Sequence, residues 1–383
     1  MWKHIVANVL TLLIVALIGL GGLVAMGQRA FVAAGPLEQA ICLRVEQGAS
    51  LRAVAASLDE QGAVSYPWLF RVGAQYDGRD RGLRFGSYLV PSGASMDQIL
   101  DIVTRGGAST CGTEVVLRIG VTQTSYLVRE LDPATSRFAE TATLPLETTE
   151  FPAEYTQVAS QPDTRFRITV AEGATSWQIW TALNAAEFLA GTLAEVPAEG
   201  TLSPDSYEVR RGADRAALAA EMAARQAAIL ASAWENRVDG LPFDTPEEAL
   251  ILASIVEKET GVAEERRVVA SVFINRLGVP MRLQTDPTVI YGITRGQGTL
   301  GRGLRRSELN AETPYNTYRI DGLPPTPIAN PGRASIEAVL DPEATEFLYF
   351  VADGTGGHVF ARTLAEHNEN VARWRRIEAE QDN

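Results

Sequence analysis

One pattern occurs four times before residue 220 and limits the fold more than any other feature. The segments V-E-Q-G-A-S-L-R-A-V from Val45, V-P-S-G-A-S-M-D-Q-I from Val90, V-A-E-G-A-T-S-W-Q-I from Val170 and V-R-R-G-A-D-R-A-A-L from Val209 share one layout. Each reads as a strand end, a glycine turn, a polar N-cap and an amphipathic helix. Gly48, Gly93, Gly173 and Gly212 supply the turns; Ser50, Ser95, Thr175 and Asp214 are the caps. The segments fall into two pairs, closed by the strands Gly86–Val90 and Asp205–Val209. A chain that alternates short strands and helices in this way is α+β.

The first pair, Ile41 to Gly106, resembles a LysM-like β-α-α-β module of the kind that binds glycan chains; a small spacer with no sugar site has the same pattern. Glu114 to Ile119 is a candidate strand within Val115 to Thr164, which is otherwise acidic, rich in Thr, Pro and Ala, and reads as an extension or exposed insertion. The second pair, Arg165 to Gly212, leads into an alanine-rich helix from Asp214 to Trp234.

Ahead of the repeats, Ile5 to Met26 is a run of 22 residues without a charge, bracketed by Lys3 and Arg29. At 1.5 Å per residue it crosses a hydrocarbon core of roughly 30 Å. A cleaved signal peptide has a shorter apolar region, about 7–15 residues, so the run reads as an uncleaved anchor. Lys3, the α-amino group and His4 precede it, which favours a cytoplasmic N-terminus and an exported remainder. The net charge of −13 and pI near 4.9 argue against nucleic acid as a partner. Cys42 and Cys111 both follow the anchor, where a disulfide is permitted; two buried free thiols are the alternative. The three histidines, His4, His358 and His367, show no metal-ligand spacing, and no cofactor motif is present.

Thr245 to Gly261, T-P-E-E-A-L-I-L-A-S-I-V-E-K-E-T-G, reads as a buried helix. Thr245 and Glu248 form a capping box, Pro246 stands at the first helical position, and Gly261 suits a left-handed residue at the end. Ala249 to Val256 is apolar or small on every face. Glu257 and Glu259 follow on the last turn, about 200° apart on the helical wheel, so they cannot face each other as an acid–base pair. Burial would raise either toward general-acid duty, while pairing with Arg266 or Arg267 would make either structural. The pattern does not rank them. A second helix is expected from Ala263 to Leu277. Gly278 to Arg333 then reads as loop, with Arg282, Gln284, Asp286, Thr288, Tyr291, Asn310, Tyr315, Asn316 and Tyr318 in the composition of a sugar cleft. Phe347 to Ala352 reads as a buried strand with Gly356 to Phe360 as its hairpin partner. A last helix, Thr363 to Glu380, should carry Leu364, Val371, Trp374 and Ile377 inward.

The segments L-A-S-I-V-E-K-E-T (Leu252 to Thr260), V-A-S-V-F-I-N-R-L (Val269 to Leu277), M-R-L-Q-T-D-P-T-V-I-Y-G (Met281 to Gly292), Y-N-T-Y (Tyr315 to Tyr318), G-L-P-P (Gly322 to Pro325), I-A-N-P-G (Ile328 to Gly332) and G-G-H-V-F (Gly356 to Phe360) resemble, in order, the endolytic murein transglycosylases of the MltG (YceG-like) family. The chain departs from the family pattern at Leu202 to Tyr207 and at Thr326. The chain then divides into a cytoplasmic tip and transmembrane helix (1–30), a LysM-like module (41–112), an extension (113–164), a second strand–helix subdomain (165–240) and a catalytic α+β core of the YceG-like type (241–383); the resemblance extends to the anchor, the LysM-like module and the core and does not cover Val115 to Thr164. It implies that Glu257 is the catalytic acid, with Gln284, Asp286, Tyr315, Asn316, His358, Arg282 and Tyr318 binding substrate. The substrate would be the nascent glycan strand of peptidoglycan, cut at the MurNAc–GlcNAc bond to leave a 1,6-anhydro end. A muramidase-type hydrolase or a non-catalytic glycan-binding scaffold are the alternatives. The place implied is the inner membrane, held by residues 5–26 with the catalytic part periplasmic, and peptidoglycan synthases are the expected protein partners.

Overall fold

The computed structural model describes residues 2–105, 110–279 and 281–381. The chain divides into two compact units: Met1–Val115, Leu127–Thr143 and Thr149–Arg165 in the first, Val116–Tyr126, Leu144–Thr148 and Phe166–Asn383 in the second. The repeat does what its residues require. Gly48, Gly93, Gly173 and Gly212 have φ of 78°, 67°, 78° and 81°, where a Cβ would strain the backbone. Ser50, Ser95, Thr175 and Asp214 each accept the N–H three residues on, satisfying donors that a helix leaves open at its start.

In the first unit, α1 (Trp2–Val32) contains the whole apolar run and is long and apolar enough to cross a membrane. The side chains of Lys3 and His4, on which the expected orientation partly rests, lie outside the described residues, as does Gly106 at the expected end of the first repeat pair. Next come β1 (Ile41–Val45), α2 (Leu51–Glu60), α3 (Pro67–Tyr76), β2 (Gly86–Val90) and α4 (Met96–Arg105). β1 and β2 pair antiparallel, Ile41 opposite Val90 and Val45 opposite Gly86, which gives the expected β-α-α-β order. Leu43, Leu58, Phe70, Ile99, Leu100 and Val103 are completely buried between them, and Phe31 of α1 joins the same core. Cys42 on β1 is bonded to Cys111, with Cα atoms 5.7 Å apart.

The chain continues as β3 (Thr113–Ile119), β4 (Thr124–Asp132), β5 (Arg137–Pro145), α5 (Ala153–Ser160), β6 (Arg165–Val170), α6 (Ser176–Ala185), β7 (Leu189–Ala190), β8 (Ser206–Val209) and β9 (Ala213–Asp214). Five of these strands form one sheet in the order β5-β4-β3-β6-β8. The stretch from Val115 to Thr164 is therefore regular structure, not an irregular insertion. Two features hide it in the sequence. β5 buries no residue fully, so its alternation is faint. Glu114, a charge that reads as surface, is completely buried and paired with Arg129 and Arg165 at 2.7 and 3.1 Å.

The rest is mainly helical: α7 (Arg215–Glu235), α8 (Pro246–Glu259), a short 3-10 turn, α9 (Arg266–Gly278), α10 (Asp286–Thr294), α11 (Arg306–Leu309), α12 (Arg333–Leu340), a ribbon of β10 (Tyr349–Ala352) and β11 (His358–Ala361), and α13 (Leu364–Gln381). Leu252, Ala253, Ile255 and Val256 of α8 share one core with Val269 and Phe273 of α9 and Ile336 and Val339 of α12. The capping box at Thr245 is present. Gly261 does not adopt the left-handed conformation: the helix ends on Thr260 in extended geometry, whose hydroxyl accepts the Val262 N–H at 3.0 Å, so no positive φ is needed. The stretch read as loop contains α10 and α11. The β10–β11 ribbon is half-buried, not buried. Leu364, expected inward, is 57% exposed, because the inward stripe of α13 begins only after its first turn.

Candidate active site

α8 presents its two acids to different surroundings. On one face, Ser254 Oγ accepts the backbone N–H of Ile328 at 2.9 Å. One turn on, Glu257 Oε2 accepts the backbone N–H of Gly332 at 3.0 Å and the hydroxyl of Ser335 at 2.7 Å. The I-A-N-P-G segment is thus laid along α8 and delivers the start of α12, with Gly332 as its N-cap, to the Glu257 carboxylate. Neither Arg266 nor Arg267 is paired with Glu257 among the described residues; Arg267 pairs with Asp341 at 2.9 Å. Both hydrogen bonds fall on Oε2, and among the described residues none reaches Oε1.

The third repeat supplies the opposite wall. Gly173, at the tip of its turn, donates its N–H to Asn330 O at 2.9 Å, and its Cα hydrogens face the side chains of Glu257 and Lys258: a Cβ there would lie 3.5 Å from each. Lys258 Nζ donates to Gly173 O at 3.3 Å; burial pushes its ammonium below the usual lysine range, against the opposing pull of Glu257 and Glu199. Glu172, partly exposed, folds its carboxyl across Gly332, where any Cβ would strike it at 1.8 Å. Burial raises the Glu172 carboxyl, and the neighbouring Glu257 charge raises it further.

Behind this wall, Glu199 accepts the Ser176 N–H at 2.7 Å and the Tyr291 hydroxyl at 3.0 Å, and burial holds its carboxyl above the usual range despite these donors. Asn330, completely buried, donates to Ala174 O at 3.0 Å and accepts the Leu202 N–H at 2.8 Å. Glu172, Glu199, Asn330 and Ser335 carry no catalytic pattern of their own in the sequence. The available signals were the unmatched acid before the glycine of V-A-E-G-A-T and the Asn and Gly of I-A-N-P-G.

Three of the seven residues expected to bind substrate, Asp286, His358 and Tyr318, lie near Glu259 instead. Glu259 accepts the Thr285 hydroxyl, and burial raises its carboxyl, with the nearby Asp286 charge acting in the same direction and His358 and Arg276 against it. The Tyr318 hydroxyl donates to Asp286 at 2.7 Å. Arg282 pairs with Asp321 at 3.0 Å and also donates to Tyr318 O. Gln284 is exposed, at a positive φ of 50°. The His358 ring lies 2.8 Å from Glu265. Two expected residues are not available to a sugar. Asn316 is completely buried and donates to the carbonyls of Glu308, Leu309 and Ala311. Tyr315 is buried against Tyr291 with its hydroxyl 2.8 Å from Thr326. Sequence spacing cannot separate a polar side chain that faces a cleft from one that satisfies a loop's own backbone.

An α+β chain led by an apolar helix long enough to cross a membrane, with a buried helix that ends in a carboxylate clamped by the first turn of α12, defines the class. The YceG-like family model matches residues 43–164 and 153–373, and the chain belongs to that family. Over 120 residues, 31% of this chain and 32% of the relative, it is 45% identical to a protein named endolytic murein transglycosylase from Bacillus subtilis (strain 168). Over 342 residues, 87% of this chain and 58% of the relative, it is 26% identical to a protein of the same name from Streptococcus pneumoniae serotype 2 (strain D39 / NCTC 7466). The chain thus spans between about a third and somewhat over half of the length of these curated relatives. A crystal structure of a yceG-like protein from Listeria monocytogenes is similar, with a TM-score of 0.46 and 24% identity over 86% of this chain and 99% of that one.

Proposed function

We propose that the protein is an endolytic lytic transglycosylase of peptidoglycan, cutting the MurNAc–GlcNAc β-1,4 bond of nascent strands beside the membrane and so limiting their length. The observation that carries the reading is the Glu257 carboxylate, fixed through Oε2 by Gly332 and Ser335 and with Oε1 unengaged among the described residues. A carboxyl held in this way can serve twice. Protonated, it donates to the glycosidic oxygen as the C1–O bond breaks, and N-acetylglucosamine leaves with that proton. As carboxylate it then takes the proton of the muramoyl 6-hydroxyl, whose oxygen bonds to C1 and closes the 1,6-anhydro ring. The acid is regenerated and no water is consumed. Ordinary glycosidases need a second carboxylate as nucleophile or water-activating base; here the substrate provides the nucleophile.

Glu172 is the one neighbour that favours a second reading, a muramidase-type hydrolase in which it activates water. The two readings differ in their products, reducing ends for the hydrolase and anhydro ends for the transglycosylase. The reading extends, with family membership and the architecture as its support, to α1 as a single-pass inner-membrane anchor with a cytoplasmic N-terminus, the β1-α2-α3-β2 module as a LysM-like glycan holder, a periplasmic catalytic unit, and peptidoglycan synthases as neighbours. Replacing Glu257 with Gln keeps an acceptor for both donors but removes the transferable proton. General acid–base catalysis contributes about 10²–10⁴-fold in typical enzymes, and one group does both transfers here, so the loss should reach or exceed that range. Mass spectrometry of digested glycan reads the outcome: anhydro ends, one water lighter than reducing ends, from the wild type and neither product from E257Q. Undiminished cleavage by E257Q removes Glu257 from the mechanism, and reducing ends from the wild type replace the transglycosylase with the hydrolase.

A further inference from the structure

We propose that α3 is an interfacial helix which, with the C-terminal end of α1, seats the first unit on the surface of a phospholipid bilayer; the proposal rests on α1 being a membrane anchor. An open apolar groove of about 780 Å³ runs between the two helices, with Leu23 and Val24 of α1 on one side and Trp68, Val72 and Tyr76 of α3 on the other. Nothing in the unit covers the α3 side: Trp68 is 61%, Val72 52% and Tyr76 81% exposed.

The depth of this face is set by α1. At 1.5 Å per residue the uncharged run Ile5 to Met26 is about 33 Å long, close to the hydrocarbon thickness of roughly 30 Å. Leu23 and Val24 lie in its last turn, at the boundary between acyl chains and headgroups. The groove runs on from them along α1 to Val32, so its lining extends from that boundary outward through the headgroups. Tryptophan and tyrosine concentrate at this boundary, where a ring can be apolar on one side and wet on the other, and an amphipathic helix sinks about 5–10 Å into it.

The two helices cannot swing apart to escape the lipid. Phe31, in the turn after the apolar run, is buried in the core of the unit, and its ring lies against Gly73 of α3 so closely that a Cβ there would be 2.3 Å from it. Leu69 of α3 packs on Gly27 of α1 in ordinary contact, 3.6 Å from where a Cβ would stand. The acids on the rim, Asp77 and Asp97, share Arg79, each at 2.5 Å; one guanidinium offsets only part of their charge, so the contact with lipid rests on the apolar and aromatic face and not on headgroup charge. Anchor, lock and exposed aromatic face thus form one continuous surface whose occupant is lipid.

The test uses the full-length protein in phosphatidylcholine–phosphatidylglycerol vesicles, with and without bromine on the acyl chains near the headgroup. The chain has 6 tryptophans, so the emission of Trp68 is taken as the difference between wild type and Trp68→Phe, a change that its exposure tolerates. Brominated lipid should remove more than about half of that emission, and acrylamide in the water little of it, as for a ring at the headgroup boundary. Tyr76→Trp in the W68F background repeats the measurement about two turns further along the same face. A Trp68 signal quenched by acrylamide and not by bromine overturns the proposal. So does a signal shielded from both, which would mean that protein, such as a second copy of the chain, fills the groove.

Discussion

Removing the Ser335 hydroxyl tests whether the clamp on Glu257 matters to the reaction or only to the fold. The bond is short, 2.7 Å, and Ser335 is completely buried. A hydrogen bond to a charged group contributes about 1.5–3 kcal/mol. In Ser335→Ala the Gly332 N–H still holds Oε2 at 3.0 Å, so the carboxyl is not orphaned and the stability loss should fall near the lower figure, about 1.5 kcal/mol. Positioning suffers more. The carboxyl now pivots on one donor, and a misplacement of about 1 Å costs on the order of 10²-fold in rate. We expect kcat on defined glycan strands to fall about 10–100-fold with KM little changed, because the lost contact orients the acid and does not touch the sugar. In an E257Q background the same substitution should have no further effect on turnover, since residues acting as a unit are non-additive. The assay is the rate of anhydro-end formation by mass spectrometry, beside an unfolding curve for each variant. An S335A kcat within about twofold of wild type, at the predicted loss of stability, would refute the positioning role and leave Ser335 as a packing residue.

Three further predictions concern stability and the division of labour on α8. The Cys42–Cys111 bond closes a loop with a sequence separation of 69, and in the chain-entropy model its reduction should cost the first unit about 4 kcal/mol; alkylation of either thiol without reductant would show that the bond is absent. The Glu199 carboxyl is raised by burial above its ordinary 4.5, so its contribution to stability is present below that pH and is lost as pH rises through the folded value. Glu199→Gln should therefore gain stability relative to wild type with rising pH, by at most about 1.4 kcal/mol per unit, and a difference independent of pH in chemical denaturation would contradict the sign. Glu259→Gln, by contrast with E257Q, should keep measurable cleavage while changing the denaturation midpoint; complete loss of turnover in a folded E259Q would exchange the roles of the two acids.

How much of this was legible depends on whether each signal is local. The repeat was readable because a glycine at positive φ, a cap and a helix start occupy fixed neighbouring positions, and all four copies fold as their residues dictate. The α8 capping box was readable for the same reason. The sheet around β3 was not, because its key core residue is a charge: Glu114 is buried only by virtue of Arg129 and Arg165, 15 and 51 residues away, and no window of sequence contains that pairing. The polar loop misled in the opposite direction. Asn316 and Tyr315 have the chemistry of sugar binders, but their hydrogen bonds are consumed by loop carbonyls and by Thr326.

The two acids of α8 show what the wheel alone could and could not say. It separated Glu257 from Glu259 by about 200°, and they do serve different surroundings, but helical spacing is silent on which surroundings are chemical. What distinguishes them is the kind of partner. Glu259 meets a side-chain hydroxyl, Thr285, from the loop that leads into α10, within a cluster whose charges partly cancel. Glu257 meets the backbone of the I-A-N-P-G segment and the first turn of α12, while the turn of the third repeat closes in beside it. The Gly332 N–H at the helix start cannot rotate away, and together with the Ser335 hydroxyl it holds one oxygen in a fixed place and leaves the other to a reactant. A donor–acceptor that must give a proton to one oxygen of a sugar and take one from another needs that fixed geometry more than it needs burial. For this reason the acid clamped by the start of α12 carries the proposed reaction.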